Sequence, residues 1–210
     1  VRAREITVWL SVPTLVAMMR RNGSLKPGIF PSMRLSLFCG EPLPAAAAQA
    51  WAEATPNGVV ENIYGPTEAT VVCMRQPLTE PAVVTPSRGI IAIGTPFETM
   101  EVAILGDDMR PLPDGEPGEI ALSGPQLAVG YFNAPEQTAD RFREIDGKRW
   151  YLTGDLGVRD GEGVFHHLGR TDNQIKLKGN RIELEEVEMH LRRAAGSDMV
   201  AVVAWPVVDG

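Results

Sequence analysis

The sequence predicts an α/β region, followed by a β-rich region and by the beginning of a small α+β unit. Over residues 1–80, apolar runs of strand length alternate with helix-forming segments. From Pro81 onwards, shorter strand-like runs are separated by Gly, Pro and Asp turns. We therefore divide the chain into an α/β subdomain at 1–80, a barrel-like β subdomain at 81–171, and an incomplete third unit at 172–210.

The first region alternates strands with helices. Strands are predicted at residues 6–12, 34–38 and 59–63, and helices at 13–21 and 44–54. Pro44 suits the first turn of a helix, and the four alanines that follow it have the highest helix propensity. With helices between them, the strands are expected to be parallel, so that the residues following neighbouring strands converge on one crevice.

The second and third regions have weaker signals. Strands are predicted at residues 90–93, 101–105, 118–122 and 164–168, with a surface hairpin at 111–118 and a surface helix beginning near 134. After Arg170, a strand at 174–178 and a helix at 184–193 are expected, and a last apolar run covers 199–205. These elements predict a small β barrel or sandwich and then an α+β unit.

Composition restricts the class of protein. Of the 210 residues, 44% are hydrophobic and 22% charged, and no apolar run is long enough to span a membrane. The net charge of −7 argues against a general nucleic-acid or membrane surface. The two cysteines have no metal-binding or disulfide spacing, which favours a reducing cytoplasm. The start, without Met or a signal region, is interpreted as a cut.

The segment from Asn62 to Glu68, Asn-Ile-Tyr-Gly-Pro-Thr-Glu, is the most informative part of the chain. An amide can pair with base edges, and an aromatic ring can stack on a base. A hydroxyl followed by a carboxylate can hold a phosphate oxygen and its Mg²⁺. On its own, the segment is also consistent with a tight turn after a buried strand, with a capping Thr.

Further motifs favour a nucleotide site over a simple turn at residues 62–68. They are Tyr-Leu-Thr-Gly-Asp-Leu at 151–156, Gly-Glu-Ile at 118–120 with Gly-Tyr at 130–131, and Gly-Arg-Thr-Asp-Asn-Gln-Ile-Lys-Leu-Lys-Gly at 169–179. In this order, they resemble the adenylate-forming (ANL) superfamily over nearly the whole chain. The Phe-Cys-Gly-Glu at 38–41 and the acidic stretch at 182–188 resemble amino-acid adenylation domains, and Cys39 in particular resembles the D-alanine:carrier-protein ligases.

The resemblance implies a fold and a reaction. The expected fold is the end of the large ANL N-terminal domain, an α/β sheet followed by a small distorted β barrel, and then the start of the small C-terminal domain. The implied enzyme is an AMP-forming ligase that uses ATP and Mg²⁺ to activate a small amino acid. It then transfers that amino acid to the phosphopantetheine thiol of a carrier protein.

The resemblance also assigns the catalytic and base-binding residues. Asn62 is expected to face the adenine amino group, and Tyr64 to stack on the ring. Thr67 is expected to bind the α-phosphate, and Glu68 to hold Mg²⁺. Both are expected to be catalytic, because attack of a carboxylate on the α-phosphorus brings two anions together and depends on positioning and on cations.

Five more residues are assigned to the nucleotide site. Asp155, expected in a Thr-Gly-Asp turn, would bind the ribose hydroxyls, and Arg170 the ribose or phosphate side. Gly40 and Glu41 follow the neighbouring strand. Gly65 is expected to allow close approach of the backbone to the nucleotide. For Arg170, a surface ion pair is the structural alternative.

Conformational and thiol-transfer roles are assigned to the third unit. Asp172 resembles the hinge about which the C-terminal domain rotates. Gly179 is expected to lie in the channel for the phosphopantetheine thiol. Lys176 and Lys178 share one face of the predicted strand, which suits either solvent or that arm equally.

The substrate pocket is expected to include Cys39, Ile63 and Val71. Their small to medium, uncharged side chains favour a small apolar amino acid, with D-alanine preferred. Cys39 is equally plausible as a buried small hydrophobic residue. Alternatives are a peptide-synthetase domain for another small amino acid, an acyl-CoA synthetase, or a degenerate nucleotide-binding module without chemistry.

Two features of the family are missing from the sequence. No Gly/Ser/Thr-rich phosphate loop with a Lys precedes Asn62, and none of the four lysines matches the catalytic Lys of the C-terminal domain. We therefore expect these 210 residues alone to be nearly or wholly inactive.

Overall fold

The computed structural model describes residues 2–171, 174–177, 180–195 and 202. Its first layer is a five-stranded sheet with the strand order β1-β2-β3-β4-β5. These strands are β1 (Val8–Ser11), β2 (Leu35–Phe38), β3 (Val59–Tyr64), β4 (Met74–Pro77) and β5 (Thr95–Pro96). The first three pair in parallel, as predicted, while β4 and β5 add antiparallel strands that the sequence did not reveal.

Two helices connect the parallel strands and cover one face of the sheet. They are α1 (Pro13–Arg21) and α2 (Ala45–Ala54). Pro13 stands in the first turn of α1, where its missing N–H costs nothing. From α2, the fully buried Trp51 packs edge-on against Phe38 at 5.4 Å between ring centres. This core fixes β2 and β3, and Phe38, the last residue of β2, lies in register with Asn62 of β3.

The second layer is a curled antiparallel sheet with the order β10-β9-β7-β6, in which β8 also pairs with β9. Its strands are β6 (Glu101–Leu105), β7 (Gly118–Ser123), β8 (Phe142–Ile145), β9 (Lys148–Arg159) and β10 (Phe165–Arg170), and α3 (Pro135–Arg141) precedes β8. Residues such as Ile120, Leu122 and Tyr151 are buried in an apolar core that also includes Met74 of β4. The mixed α/β fold with a β-rich second part is therefore confirmed.

Two local predictions were wrong. The predicted strand at 90–93 makes only isolated bridges, between Ile90 and Pro44 and between Ile91 and Val84, because its neighbours are loops. Asp155 does not lie in a turn: it lies within β9, whose register against β7 shifts between Glu119 and Ala121. Gly154, at φ +72°, provides the left-handed backbone that this bulge needs.

The two sheets meet where Gly94 lies beside the start of β10. Phe165 and Gly94 exchange backbone hydrogen bonds of 2.8 and 3.1 Å. Because β5 lies beyond residue 80 yet belongs to the first sheet, the chain crosses the predicted boundary there. The division at 80 and 171 remains a prediction.

The third unit contains a hairpin of β11 (Gln174–Leu177) and β12 (Asn180–Glu183), followed by α4 (Leu184–Ala195). Asp172, Lys178, Gly179 and, except for Val202, the predicted run at 199–205 lie outside the described residues. None of the helices in the described part of the chain is long and apolar enough to cross a membrane.

Candidate nucleotide site

A cavity of about 320 Å³ opens between the ends of β2 and β3 and the bulged strands β9 and β10. It brings together eight of the predicted nucleotide and substrate residues: Cys39, Gly40, Glu41, Asn62, Tyr64, Gly65, Asp155 and Arg170. They come from segments far apart in sequence, so the expected convergence of two strand ends is confirmed. Their chemical roles remain predictions.

Asn62 presents an oriented amide to the cavity. Its Nδ2 donates to the backbone oxygens of Ala92 and Ile91 at 2.8 and 3.3 Å, and the side chain is buried. An atom between two carbonyl oxygens must be a donor, so the position of Oδ1 is fixed as well. The site therefore holds a preset acceptor, which suits an amino group on a ligand.

Tyr64, Asp155 and Arg170 form one buried network. The hydroxyl of Tyr64 donates to Oδ2 of Asp155, and Nη1 of Arg170 donates to Oδ1 at 2.7 Å. His167 adds a third contact, with Nε2 3.4 Å from the same Oδ1. Because both carboxylate oxygens accept from neighbours, the network holds the tyrosine ring and the guanidinium in place around the cavity.

Two groups of this network, Asp155 and Tyr64, have pKa values shifted in opposite directions. Burial opposes ionisation of Asp155, but the hydrogen bonds from His167 and Tyr64 and the charge of Arg170 outweigh it and lower the pKa to about 2. Burial, and then the Asp155 charge, raise the pKa of Tyr64 well above its ordinary value. At neutral pH the site therefore contains a carboxylate and a phenol.

This pKa shift predicts acid sensitivity. Since the Asp155 carboxyl has a lower pKa folded than unfolded, its contribution to stability is complete above about pH 4 and disappears as the pH falls towards about 2. The contribution is about 2 kcal/mol. Urea unfolding at pH 5 and pH 3 measures about half of it, because pH 3 still lies above the folded pKa. The Asp155→Asn variant should lose less stability over this interval than the wild type, and an equal loss would contradict the assignment.

Glu41 lines the cavity but has a structural partner. Its Oε2 accepts from the backbone N–H of Thr14 at 3.0 Å and from the Thr14 hydroxyl at 2.5 Å. Thr14 lies in the first turn of α1, where backbone N–H groups have no partner within the helix and a negative charge is favourable. The carboxylate therefore fastens the loop after β2 to the start of α1.

The two predicted glycines are required for different reasons. Gly40 has φ +88°, a left-handed conformation that disfavours other residues. Gly65 is limited by its surroundings, because a Cβ there would lie 2.7 Å from the carbonyl oxygen of Val71 and 2.9 Å from the nitrogen of Cys73. In this structure, Gly65 is therefore constrained by its own chain, and the close approach of a nucleotide to its backbone remains a prediction.

Thr67 and Glu68 lie in a single 3₁₀ turn beyond Gly65, outside the lining of the cavity. Thr67 is exposed, whereas Glu68 is buried. A loop from the second layer covers this turn: Tyr131 Oη donates to Glu68 Oε1 at 2.7 Å, and the Ala128 N–H donates to the Glu68 carbonyl at 2.8 Å. The predicted metal-binding carboxylate is thus oriented by a residue 63 positions away.

We predict that Tyr131→Phe destabilises the chain by about 1 to 2 kcal/mol, because a buried carboxylate loses one of its donors. Urea denaturation measures the change. The matched control is Phe132→Tyr, which alters one hydroxyl at the adjacent, 94% exposed position and should have almost no effect. Equal effects of the two changes would exclude a specific role for the hydroxyl.

The three predicted pocket residues do not lie together. Cys39 lines the cavity and is half-buried. Ile63 is buried but points to the face of β3 opposite Asn62 and Tyr64, since strand residues alternate. Val71 is 56% exposed with φ +72°. Neither Ile63 nor Val71 lines this cavity, so their substrate roles remain predictions.

Sequence reasoning missed four polar or flexible residues of the site. Arg88, His167 and Gly169 line the cavity, and Tyr131 holds Glu68. Gly169 and Tyr131 belong to two of the motifs that carry the family resemblance, but neither residue was predicted to have a role of its own. His167 lies three residues before Arg170, so its position beside that motif was the available signal. Arg88 carries no motif at all.

Comparison with known proteins identifies a matching family and similar relatives. The profile of a family described as AMP-binding enzyme matches residues 1–132. D-alanine--D-alanyl carrier protein ligases of Bacillus cereus and Bacillus cytotoxicus are 40% and 39% identical to the chain over 206 residues, which are 98% of the chain and 40% of each relative. The chain thus spans about 40% of the length of the curated relatives that it matches.

Solved structures are similar over the same length. The Vibrio cholerae adenylation domain AlmE, in complex with glycyl-adenosine-5'-phosphate, has a TM-score of 0.87 and 38% identity, covering 98% of this chain and 39% of that one. Holo-PA1221, an NRPS protein containing adenylation and PCP domains, has a TM-score of 0.81 and 28% identity, covering 91% and 33%.

Proposed function

Because the chain belongs to the AMP-binding enzyme family, we propose that the natural full-length protein uses ATP to activate a small amino acid as its aminoacyl-AMP. It then transfers the amino acid to the phosphopantetheine thiol of a carrier protein, with D-alanine as the favoured substrate. The observation that carries the proposal is the cavity in which Asn62, Tyr64, Asp155 and Arg170 meet. We place this reaction in the cytoplasm, since the sequence has no disulfide spacing.

The nucleoside occupies the cavity in this proposal. The oriented Oδ1 of Asn62 accepts from the adenine amino group, and Tyr64 stacks on the ring. Asp155 accepts from the ribose hydroxyls, and Arg170 faces the ribose or phosphate side. The existing network supports these roles, because it holds each polar group before the ligand arrives.

The phosphates extend beyond Gly65 to the turn that contains Thr67 and Glu68. Thr67 binds the α-phosphate, and Glu68 holds Mg²⁺. In the described part of the chain, no cluster of three or more His, Cys, Asp or Glu side chains forms a metal site. A single carboxylate fits Mg²⁺ when phosphate oxygens and water supply the other ligands. When bound, the ion offsets negative charge that develops at the α-phosphate.

The amino acid is proposed to lie beside Cys39, with Ile63 and Val71 nearby in the family's pocket. The small Cys39 side chain at the cavity supports a small apolar amino acid. D-alanine is preferred because relatives at 40% identity are D-alanine--D-alanyl carrier protein ligases. Glycine is the second candidate, since AlmE at 38% identity was solved with glycyl-adenosine-5'-phosphate.

The third unit is proposed to act in thiol transfer, with Asp172 as the hinge and Gly179 in the thiol channel. The similarity to PA1221, which contains adenylation and PCP domains, supports a carrier protein as the partner. The 210 residues on their own are proposed to be inactive, because the sequence contains neither the phosphate loop nor the catalytic Lys of the family.

The test is amino-acid-dependent exchange of labelled pyrophosphate into ATP by the full-length natural protein. D-alanine, L-alanine, glycine and a fatty acid are supplied separately. Exchange with D-alanine supports the proposal, and exchange with glycine supports the second candidate. Exchange with the fatty acid alone would replace amino-acid activation with acyl activation. If no acid supports exchange and adenosine does not bind either, the nucleotide site itself is refuted.

A further inference from the structure

Arg88 is a cation without an ionic partner at the edge of the cavity. Its side chain is half-buried and lines the cavity, yet no carboxylate of the described residues lies within 4.0 Å of it. Arg170, in the same cavity, is paired with Asp155. Among the other arginines whose side chains the structure describes, those without a side-chain ion pair or hydrogen bond are exposed: Arg4, Arg20, Arg21, Arg34 and Arg193. A partly desolvated guanidinium is costly unless something else contacts it.

The turn that carries Arg88 is firmly held. Thr85 is fully buried, and its N–H donates to the Ile90 oxygen at 2.8 Å. The Gly89 oxygen accepts from the Ala45 N–H at the start of α2, at 2.9 Å. Ser87, next to the arginine, has φ +62°, a left-handed conformation that is strained for a residue with a side chain. The fold therefore fixes this turn in a strained shape beside the cavity.

Gly169 makes room for the guanidinium. Its φ is +134°, and a Cβ there would lie 3.3 Å from Nη1 of Arg88. The guanidinium therefore lies beside the backbone of Gly169, next to Arg170 and thus to the Asp155 network. It is on the nucleoside side of the cavity, whereas Thr67 and Glu68 lie outside the cavity lining.

The same turn leads into the base-binding part of the site. Three residues after Arg88, the carbonyl of Ile91 accepts from Asn62 Nδ2, the amide that faces the cavity. The two acidic residues of the cavity have other partners, since Glu41 accepts from Thr14 and Asp155 from Arg170. Arg88 thus lines the cavity between the turn that holds Asn62 and the backbone of Gly169, and the two acidic residues of the cavity lining are engaged elsewhere. Guanidinium groups stack well on flat, electron-rich rings.

We propose that Arg88 packs its guanidinium against the adenine base of the bound nucleotide and so contributes to nucleoside affinity. The proposal deepens the proposed function and rests on it. The planar guanidinium shields one part of the base from water, while Tyr64 supplies an aromatic surface to it. A lysine cannot replace this contact, because its ammonium is compact and strongly hydrated.

The test measures adenosine and AMP binding by calorimetry with the full-length natural protein and three variants. These are Arg88→Ala, Arg88→Lys and the control Arg34→Gln, which changes an exposed arginine outside the cavity. We expect Arg88→Ala to weaken adenosine and AMP equally, by about tenfold. Arg88→Lys should restore little of this, and Arg34→Gln should change neither affinity.

Other results would overturn the proposal. Loss of AMP affinity with unchanged adenosine affinity, restored by lysine, would assign Arg88 to the phosphate. A lower melting temperature of the nucleotide-free Arg88→Ala protein that accounts for the weaker binding would make its role structural. Unchanged binding by Arg88→Ala refutes the role of Arg88 alone. Failure of the wild type to bind adenosine refutes the proposed function as well.

Discussion

Asp155→Asn is expected to give the largest loss of nucleotide binding of any single change in the site. The substitution keeps the size of the side chain but leaves the guanidinium of Arg170, which is 15% exposed, without its carboxylate. A broken buried pair costs about 3 kcal/mol of folding stability. We also expect AMP affinity of the full-length protein to fall about 100-fold, measured by calorimetry, because a charged hydrogen-bond acceptor is lost.

The chain offers a matched control for this experiment. Asp114 and Arg159 form the same kind of pair at the surface, where both side chains remain partly in water. Asp114→Asn should therefore cost less than about 1 kcal/mol and leave AMP binding unchanged. If removing Arg170 together with Asp155 is no better tolerated than removing Asp155 alone, the broken Asp155–Arg170 pair is not the cause of the loss.

Gly94→Ala is expected to be the most damaging change for the fold. Gly94 has φ +80°, and a Cβ there would lie 1.9 Å from the carbonyl oxygen of Arg75 in β4. The left-handed conformation and the forced displacement of β4 together should cost about 3 to 4 kcal/mol. Urea unfolding measures this loss. Since Gly94 also pairs with Phe165, we expect the two sheets to separate most easily in this variant.

Gly115→Ala separates the cost of the left-handed conformation from the cost of displacing β4. Gly115 has φ +88°, but nothing lies within 4 Å of the position of its Cβ. Only the conformational cost remains, so the expected loss is about 1 kcal/mol. Similar losses for Gly94→Ala and Gly115→Ala would show that β4 can move without penalty.

Much of the first sheet was predictable because its local signals agree with its packing. The predicted helix at 13–21 has the bounds found for α1, since Pro13 marks its first turn. The strand that contains Asn62 was predicted from its apolar residues, one residue short of the observed end at Tyr64. Convergence of the strand ends then followed from parallel pairing, which places Asn62 and Tyr64 at the cavity.

Other parts depend on contacts that local sequence does not encode. A Thr-Gly-Asp segment suits a turn and a bulge equally, because both need the left-handed glycine found at Gly154. Pairing with three other strands, not local propensity, makes β9 twelve residues long. Tyr131 reaches Glu68 across 63 residues, and Arg88 reaches the cavity through a turn with no nucleotide motif.

The position of Asp155 within β9 has a consequence for binding entropy. Strand β9 pairs with β7 over residues 151–157, and its two ends pair with β8 over 148–151 and with β10 over 155–159. Its backbone therefore opens only when much of the second sheet does. A ligand that contacts Asp155 meets a carboxylate whose conformational freedom was already lost during folding. Binding therefore costs little further conformational entropy on this side of the cavity. Most of the interaction free energy between the ligand and Asp155 then contributes to affinity.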